Sequence, residues 1–117
     1  MIKFKTLDQF AGIAVINYAT AVKWYEQLLG SPPTFFPHES EAVWEFAEHR
    51  YVYIVQNPLH AGHALNLLFV DDLDALVGKI ADRGLEPAKW ETLQKGVRKI
   101  TYRDDDGNEF GFGGAPP

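Results

Sequence analysis

The stretch Phe-Ala-Gly-Ile-Ala-Val-Ile-Asn-Tyr-Ala-Thr-Ala-Val-Lys-Trp-Tyr-Glu-Gln-Leu-Leu-Gly, residues 10–30, sets the rhythm of the whole chain. Residues 10–16 are small and apolar on both faces, as a covered strand would be. Asn17 or Thr20 can cap a helix running to Leu29, with Val22, Tyr25, Leu28 and Leu29 on one side and Gly30 as its stop. Pro32-Pro33 forbids continuation. Three strand-like pieces follow at Thr34–Phe36, Ala42–Glu48 and Tyr51–Gln56. The order then recurs. His63–Val70 reads as a strand and Asp71 or Asp72 as a cap, while Leu73, Leu76, Val77 and Ile80 mark one helical face. Gly84 is the stop, and strands are predicted at Leu85–Trp90, Val97–Arg103 and Glu109–Phe112. Val15 and Val70 lie 55 positions apart, and Gly30 and Gly84 lie 54 apart. A strand-helix-strand-strand-strand unit therefore occurs twice, as module one (about 8–57) and module two (about 63–113), joined by the loop Asn57–Gly62. Amphipathic helices on one face of mixed sheets make this α+β, a single domain over 1–117.

Composition narrows the function. The chain has 117 residues, a net charge of -5 and no cysteine. Disulfides, thiolate metal sites and thiol nucleophiles are thereby excluded. The acidic balance argues against nucleic acid as a partner, since a basic stripe is needed to displace counterions. The N-terminus lacks the apolar run of a signal peptide, and no segment approaches the ~20 apolar residues of a membrane span. A cytoplasmic protein with no membrane partner is the expectation. Aromatic residues make up 14% of the chain, with three Trp, and that ring surface needs a place. The tail Gly113-Gly114-Ala115-Pro116-Pro117 is expected to be loose.

The last hairpin indicates which face is which. Asp104-Asp105-Asp106-Gly107-Asn108 suits a type I turn followed by a glycine bulge. It would pair Tyr102 with Phe110 and Ile100 with Phe112 on the helix side. Lys99, Thr101, Arg103, Glu109 and Gly111 would share the opposite, open side.

Two stretches resemble the vicinal oxygen chelate superfamily, also called the glyoxalase/bleomycin resistance/dioxygenase group. Ala21-Val22-Lys23-Trp24-Tyr25-Glu26-Gln27-Leu28-Leu29-Gly30 is similar to its first helix end. Gly96 to Phe110 is similar to its last hairpin, with Asp105 where proline is usual. The resemblance implies paired βαβββ modules, with sheets curling into a cup that is commonly completed by a homodimer. In metal-dependent relatives, one His, Glu or Gln stands on the first and last strand of each module. Counting from the motifs, those positions hold Phe10, Tyr53, Leu65 and Gly111. Three have nothing to donate, and a phenol of pKa about 10 is a poor ligand. No metal and no cofactor are expected.

The resemblance then points to a metal-independent, bleomycin-resistance-like protein that sequesters a planar or cationic organic ligand in an aromatic-lined cleft. The alternative is an enzyme of the same superfamily, either a lyase, isomerase or dioxygenase with displaced ligands or a metal-free catalyst using Glu109 or Tyr53, with Glu109 the candidate base. Whether the chain is an enzyme stays open. The ligand-lining candidates are Phe10, Trp44, Tyr51, Tyr53, Leu65, Trp90, Lys99, Thr101, Glu109 and Gly111. For Trp44 and Trp90 the cup, a dimer interface and the core are all open, because alternation alone does not fix the face of an irregular strand. His60 and His63 read as a solvated loop, His38 and His49 as strand-end surface residues, and the three aspartates as a turn rather than a calcium loop.

Overall fold

A computed structural model describes residues 1–117. Strand β1 (Gln9–Val15) leads into helix α1 (Tyr18–Leu29), then β2 (Phe35–His38), β3 (Glu41–Ala47) and β4 (Arg50–Gln56). Module two follows the same order, with β5 (Leu65–Phe69), α2 (Leu73–Asp82), β6 (Lys89–Thr92), β7 (Arg98–Arg103) and β8 (Glu109–Gly114). The sheets run β1-β4-β3-β2 and β5-β8-β7-β6, so each module pairs its first strand with its last. Those pairs are parallel and the others antiparallel. Neither sheet closes on itself. The two βαβββ modules and the α+β class are as expected.

Local signals explain the helices. Asn17 caps α1 by accepting the Thr20 amide at 3.1 Å, and Asp72 caps α2 by accepting that of Ala75 at 3.1 Å. Each removes one orphan donor from a first turn. Gly30 ends α1 at φ 80°, a conformation that costs a side chain but not glycine. Alternation then sorts the sheets. Ile13, Val15, Ala42, Trp44, Val52 and Ile54 bury against α1, through Ala21, Tyr25 and Leu28. Ile100, Tyr102, Phe110 and Phe112 do the same beneath Leu73 and Ile80 of α2. These side chains form one continuous core, each large one contributing roughly 1.5–3 kcal/mol by burial. No helix is long and apolar enough to cross a membrane.

The modules are fastened through the 104–108 turn. Tyr102 pairs with Phe110 and Ile100 with Phe112, and Gly107 takes φ 95°, as the bulged turn requires. The buried Asp104 accepts the amides of Asp106 and Asn108 on one oxygen, at 2.9 and 3.0 Å. Its other oxygen accepts the Tyr25 hydroxyl and the Asn108 side-chain amide, both at 2.8 Å. Asn108, fully buried, also donates to Ala14 O at 2.9 Å and accepts the amides of Gly62 and Ala64. Asp106 accepts the Ile16 amide at 2.9 Å. A second tie joins the helix ends. Arg83 donates to the carbonyls of Gln27 and Leu28, and Gln27 donates back to Arg83 O at 2.9 Å. A cation at the end of α1 also suits its dipole.

Two expectations need correction. The strand expected at Leu85–Trp90 lies at Lys89–Thr92. The tail is not loose from Gly113, because β8 continues to Gly114 and both glycines are buried. The Phe69 ring lies over Gly113, where a Cβ would be 2.6 Å from Cε1, and Leu73 presses on Gly114. Glycine here admits close neighbours rather than loosening the strand.

Asn108→Ala removes the four Asn108 side-chain bonds from this hub, leaving those of Asp104 with Tyr25 and of Asp106 with Ile16, and should cost about 2–4 kcal/mol, read from the urea midpoint. Tyr25 provides a pH test. Burial first, then the Asp104 carboxylate, push its phenol far above the ordinary value. Because the folded pKa exceeds the unfolded one, this stabilisation is complete below about pH 10 and declines above it, by roughly 1.4 kcal/mol per pH unit. Tyr25→Phe should flatten that alkaline decline while lowering stability at neutral pH.

Candidate functional site

The face of each sheet turned away from its helix is open. On the first, Phe10 and Gly12 of β1 stand beside Tyr51 and Tyr53 of β4 in parallel register, with Val43 and Glu45 of β3 next and Phe35 beyond. Phe10 and Tyr51 stack with ring centroids 4.5 Å apart and planes 10° from parallel. Phe35 meets Tyr51 edge-on at 6.4 Å. Tyr53 lies across Gly12, where a Cβ would be 2.6 Å from the ring's Cζ. The missing side chain at Gly12 lets that ring lie down on the sheet. These contacts fix an aromatic platform without help from a ligand. Glu45 sits directly opposite Tyr51. Desolvation first, and then the Glu45 carboxylate with Asp8 and Glu48 further off, raise the Tyr51 pKa. The platform is thus bordered by negative charge.

The open face of the second sheet differs. Leu65, Leu67 and Phe69 of β5 adjoin Glu109, Gly111 and Gly113 of β8, with Lys99, Thr101 and Arg103 of β7 beyond. A shallow depression of about 190 Å³ is lined by Leu65, Asn66, Leu67, Lys99, Thr101, Glu109 and Gly111. It takes no wall from the first sheet. Glu109 is bonded to Arg103 at 3.3 Å and has no second carboxylate beside it, a poor setting for a general base.

Eight of the ten sequence candidates therefore occupy open faces, with Phe10, Tyr51 and Tyr53 on the first and Leu65, Lys99, Thr101, Glu109 and Gly111 on the second. The two tryptophans do not. Trp44 is 2% exposed, pairs with Val52 on the helix side and donates its indole N–H to Ser31 O at 2.9 Å. Trp90 pairs with Ile100, so it shares the helix-side face at the sheet's edge, where it is 60% exposed. Both are corrections to the cup reading, and register is the reason. Gly12, Phe35, Glu45, Leu67 and Phe69 were missed. The alternation Leu65, Leu67, Phe69 was available as a signal, whereas Phe35 lies on an irregular strand.

A divalent ion of the kind the resemblance implies for metal-dependent relatives does not fit these residues. Phe10, Tyr53, Leu65 and Gly111 supply neither carboxylate nor imidazole. No three His, Cys, Asp or Glu side chains gather anywhere in the chain. His38 binds Glu41 at 3.0 Å, His49 binds Asp8 at 2.7 Å, and His60 and His63 stand exposed in the joining loop.

Comparisons with known proteins agree with this geometry. Residues 6–112 match the profile of the Glyoxalase/Bleomycin resistance protein/Dioxygenase superfamily. A crystal structure of a glyoxalase/bleomycin resistance protein from Catenulispora acidiphila is 53% identical, covering 95% of this chain and 100% of that one, with a TM-score of 0.91. A lactoylglutathione lyase from Agrobacterium tumefaciens shares the fold at 11% identity, covering 94% of each chain, with a TM-score of 0.74. A glyoxalase/bleomycin resistance protein from Albidiferax ferrireducens does so at 19% identity, covering 90% of this chain and 96% of that one, at 0.65. No curated protein matches the sequence. With almost its whole length matched, the chain belongs to the glyoxalase/bleomycin resistance protein/dioxygenase superfamily.

Proposed function

We propose that this protein binds a planar, cationic organic molecule on the aromatic face of its first sheet, without a divalent metal. The observation that carries this reading is the preset platform of Phe10, Tyr51 and Tyr53. Flat rings held by stacking and by Gly12 offer an aromatic ligand apolar area, and a cation the negative faces of their π systems. Glu45 and the overall charge of -5 favour positive ligands, both at the site and by steering. The superfamily also contains enzymes, and a lyase, isomerase or dioxygenase activity would need a base. Glu109 is the candidate, yet it is tied to Arg103.

A homodimer belongs to the same proposal. Leu65 is 78% exposed, and Phe10, Leu67 and Phe69 are at least half exposed, all on open faces. Surface of that kind is what a second copy covers, and β1 and β5 are free edges. Two copies would turn each open face into one wall of a cleft.

Proflavine, a planar cation, is the direct probe. It should bind to protein dialysed against chelator, and Tyr53→Ala should weaken it about tenfold or more, the loss expected of one stacking ring. Gly12→Ala, which lifts the Tyr53 ring, should weaken it in the same direction. Equal binding by all three proteins would overturn the platform, and a chelator-sensitive site would overturn metal independence. Sedimentation at micromolar concentration should give twice the 13.2 kDa chain mass.

A further inference from the structure

The cations of the second sheet are nearly all accounted for. Arg103 is bonded to Glu109 at 3.3 Å, Lys89 lies 3.6 Å from Glu91, and Arg98 is bonded to Asp74 at 2.7 Å. Lys99 is left. It is half-buried, has no carboxylate within ion-pair distance and forms a wall of the 190 Å³ depression. The two carboxylates facing it are Glu109, within the depression, and Glu91, opposite it in register, and each has its own cation. The depression therefore carries one uncompensated positive charge in an acidic protein.

Gly111 keeps it open. A Cβ there would lie 3.3 Å from Leu67 Cδ1, tight enough that the leucine must give by a few tenths of an ångström, and 3.4 Å from Lys99 Cε, in ordinary contact. Leu65 and Leu67 supply apolar walls, and Thr101 adds a hydroxyl. An ammonium with three donors, set between apolar walls and a hydroxyl, matches a carboxylate attached to a small apolar body. We infer that this depression is a carboxylate subsite anchored by Lys99. The inference rests on reading the open faces as ligand-binding surfaces. It adds that the ligand carries an acidic oxygen group as well as a ring. Positive charge here and negative charge around Tyr51 give the two faces opposite charge preferences.

Benzoate and its neutral isostere benzamide separate charge recognition from simple burial. Calorimetric titration should show benzoate binding more tightly than benzamide. Lys99→Met should weaken benzoate by about tenfold, as loss of a charge-assisted bond does, and leave benzamide unchanged. Lys99→Arg should stay close to the parent. Gly111→Glu, which places a carboxylate beside Lys99, should abolish the preference for benzoate. Equal binding by Lys99→Met and the parent, no preference between the probes, or no binding of either would overturn the subsite. If proflavine still binds in a Tyr53-dependent way, only the Lys99 assignment falls. If proflavine also fails, the reading of the open faces falls with it.

Discussion

A single buried carboxylate organises this fold. Asp104 has no cation beside it and is satisfied by four donors: two amides of its own turn, the Asn108 side chain and the Tyr25 hydroxyl. A charge taken from water is costly unless it is bonded in this way, so the turn, the helix and the neighbouring strand must be present together. Tyr25 belongs to module one and Asp104 to module two. The constraint is therefore between modules, and Asn108 extends it to Ala14 while Asp106 reaches Ile16. The second tie, between Arg83 and the last turn of α1, joins the two modules again at the helix ends. With the helix sides locked into one core, the other faces of both sheets must remain outside.

Much of this is legible in the sequence. The caps Asn17 and Asp72, the stops Gly30 and Gly84, and the repeat spacing follow from local rules that tertiary packing did not override. The hairpin was legible as well, since only the bulged turn places Ile100, Tyr102, Phe110 and Phe112 on one face. What the sequence concealed was long-range. Nothing local announces that Asp104 will meet Tyr25, because 79 positions separate them. Trp44 and Trp90 were ambiguous for another reason. The face of each residue depends on strand register, and a shift of one residue exchanges the faces. Gly113 and Gly114 looked like a loose tail, but each is required by a side chain pressed against it.

The candidate site follows the same division. Positions counted from the motifs fell on the open faces because the repeat fixes them, and that Phe10, Tyr53, Leu65 and Gly111 bring no carboxylate or imidazole is read directly from the sequence. The platform is not. It depends on Tyr53 lying over Gly12 and on the near-parallel stack of Phe10 with Tyr51, which are tertiary facts. The distribution of charge is tertiary too, since Lys99 stands out only once Lys89, Arg98 and Arg103 have found partners. Two sheets built from one repeated plan thus present unlike surfaces, one aromatic and bordered by acids, the other apolar around a cation.

The most direct measurement is a crystal structure of the protein grown with proflavine in the presence of a chelator. The tricyclic plane should lie parallel to the Tyr53 ring on the first sheet, within reach of Glu45, with no ion between ligand and protein. Density for the ligand only away from this face, or a metal held among the ligand and the strand residues, would contradict it.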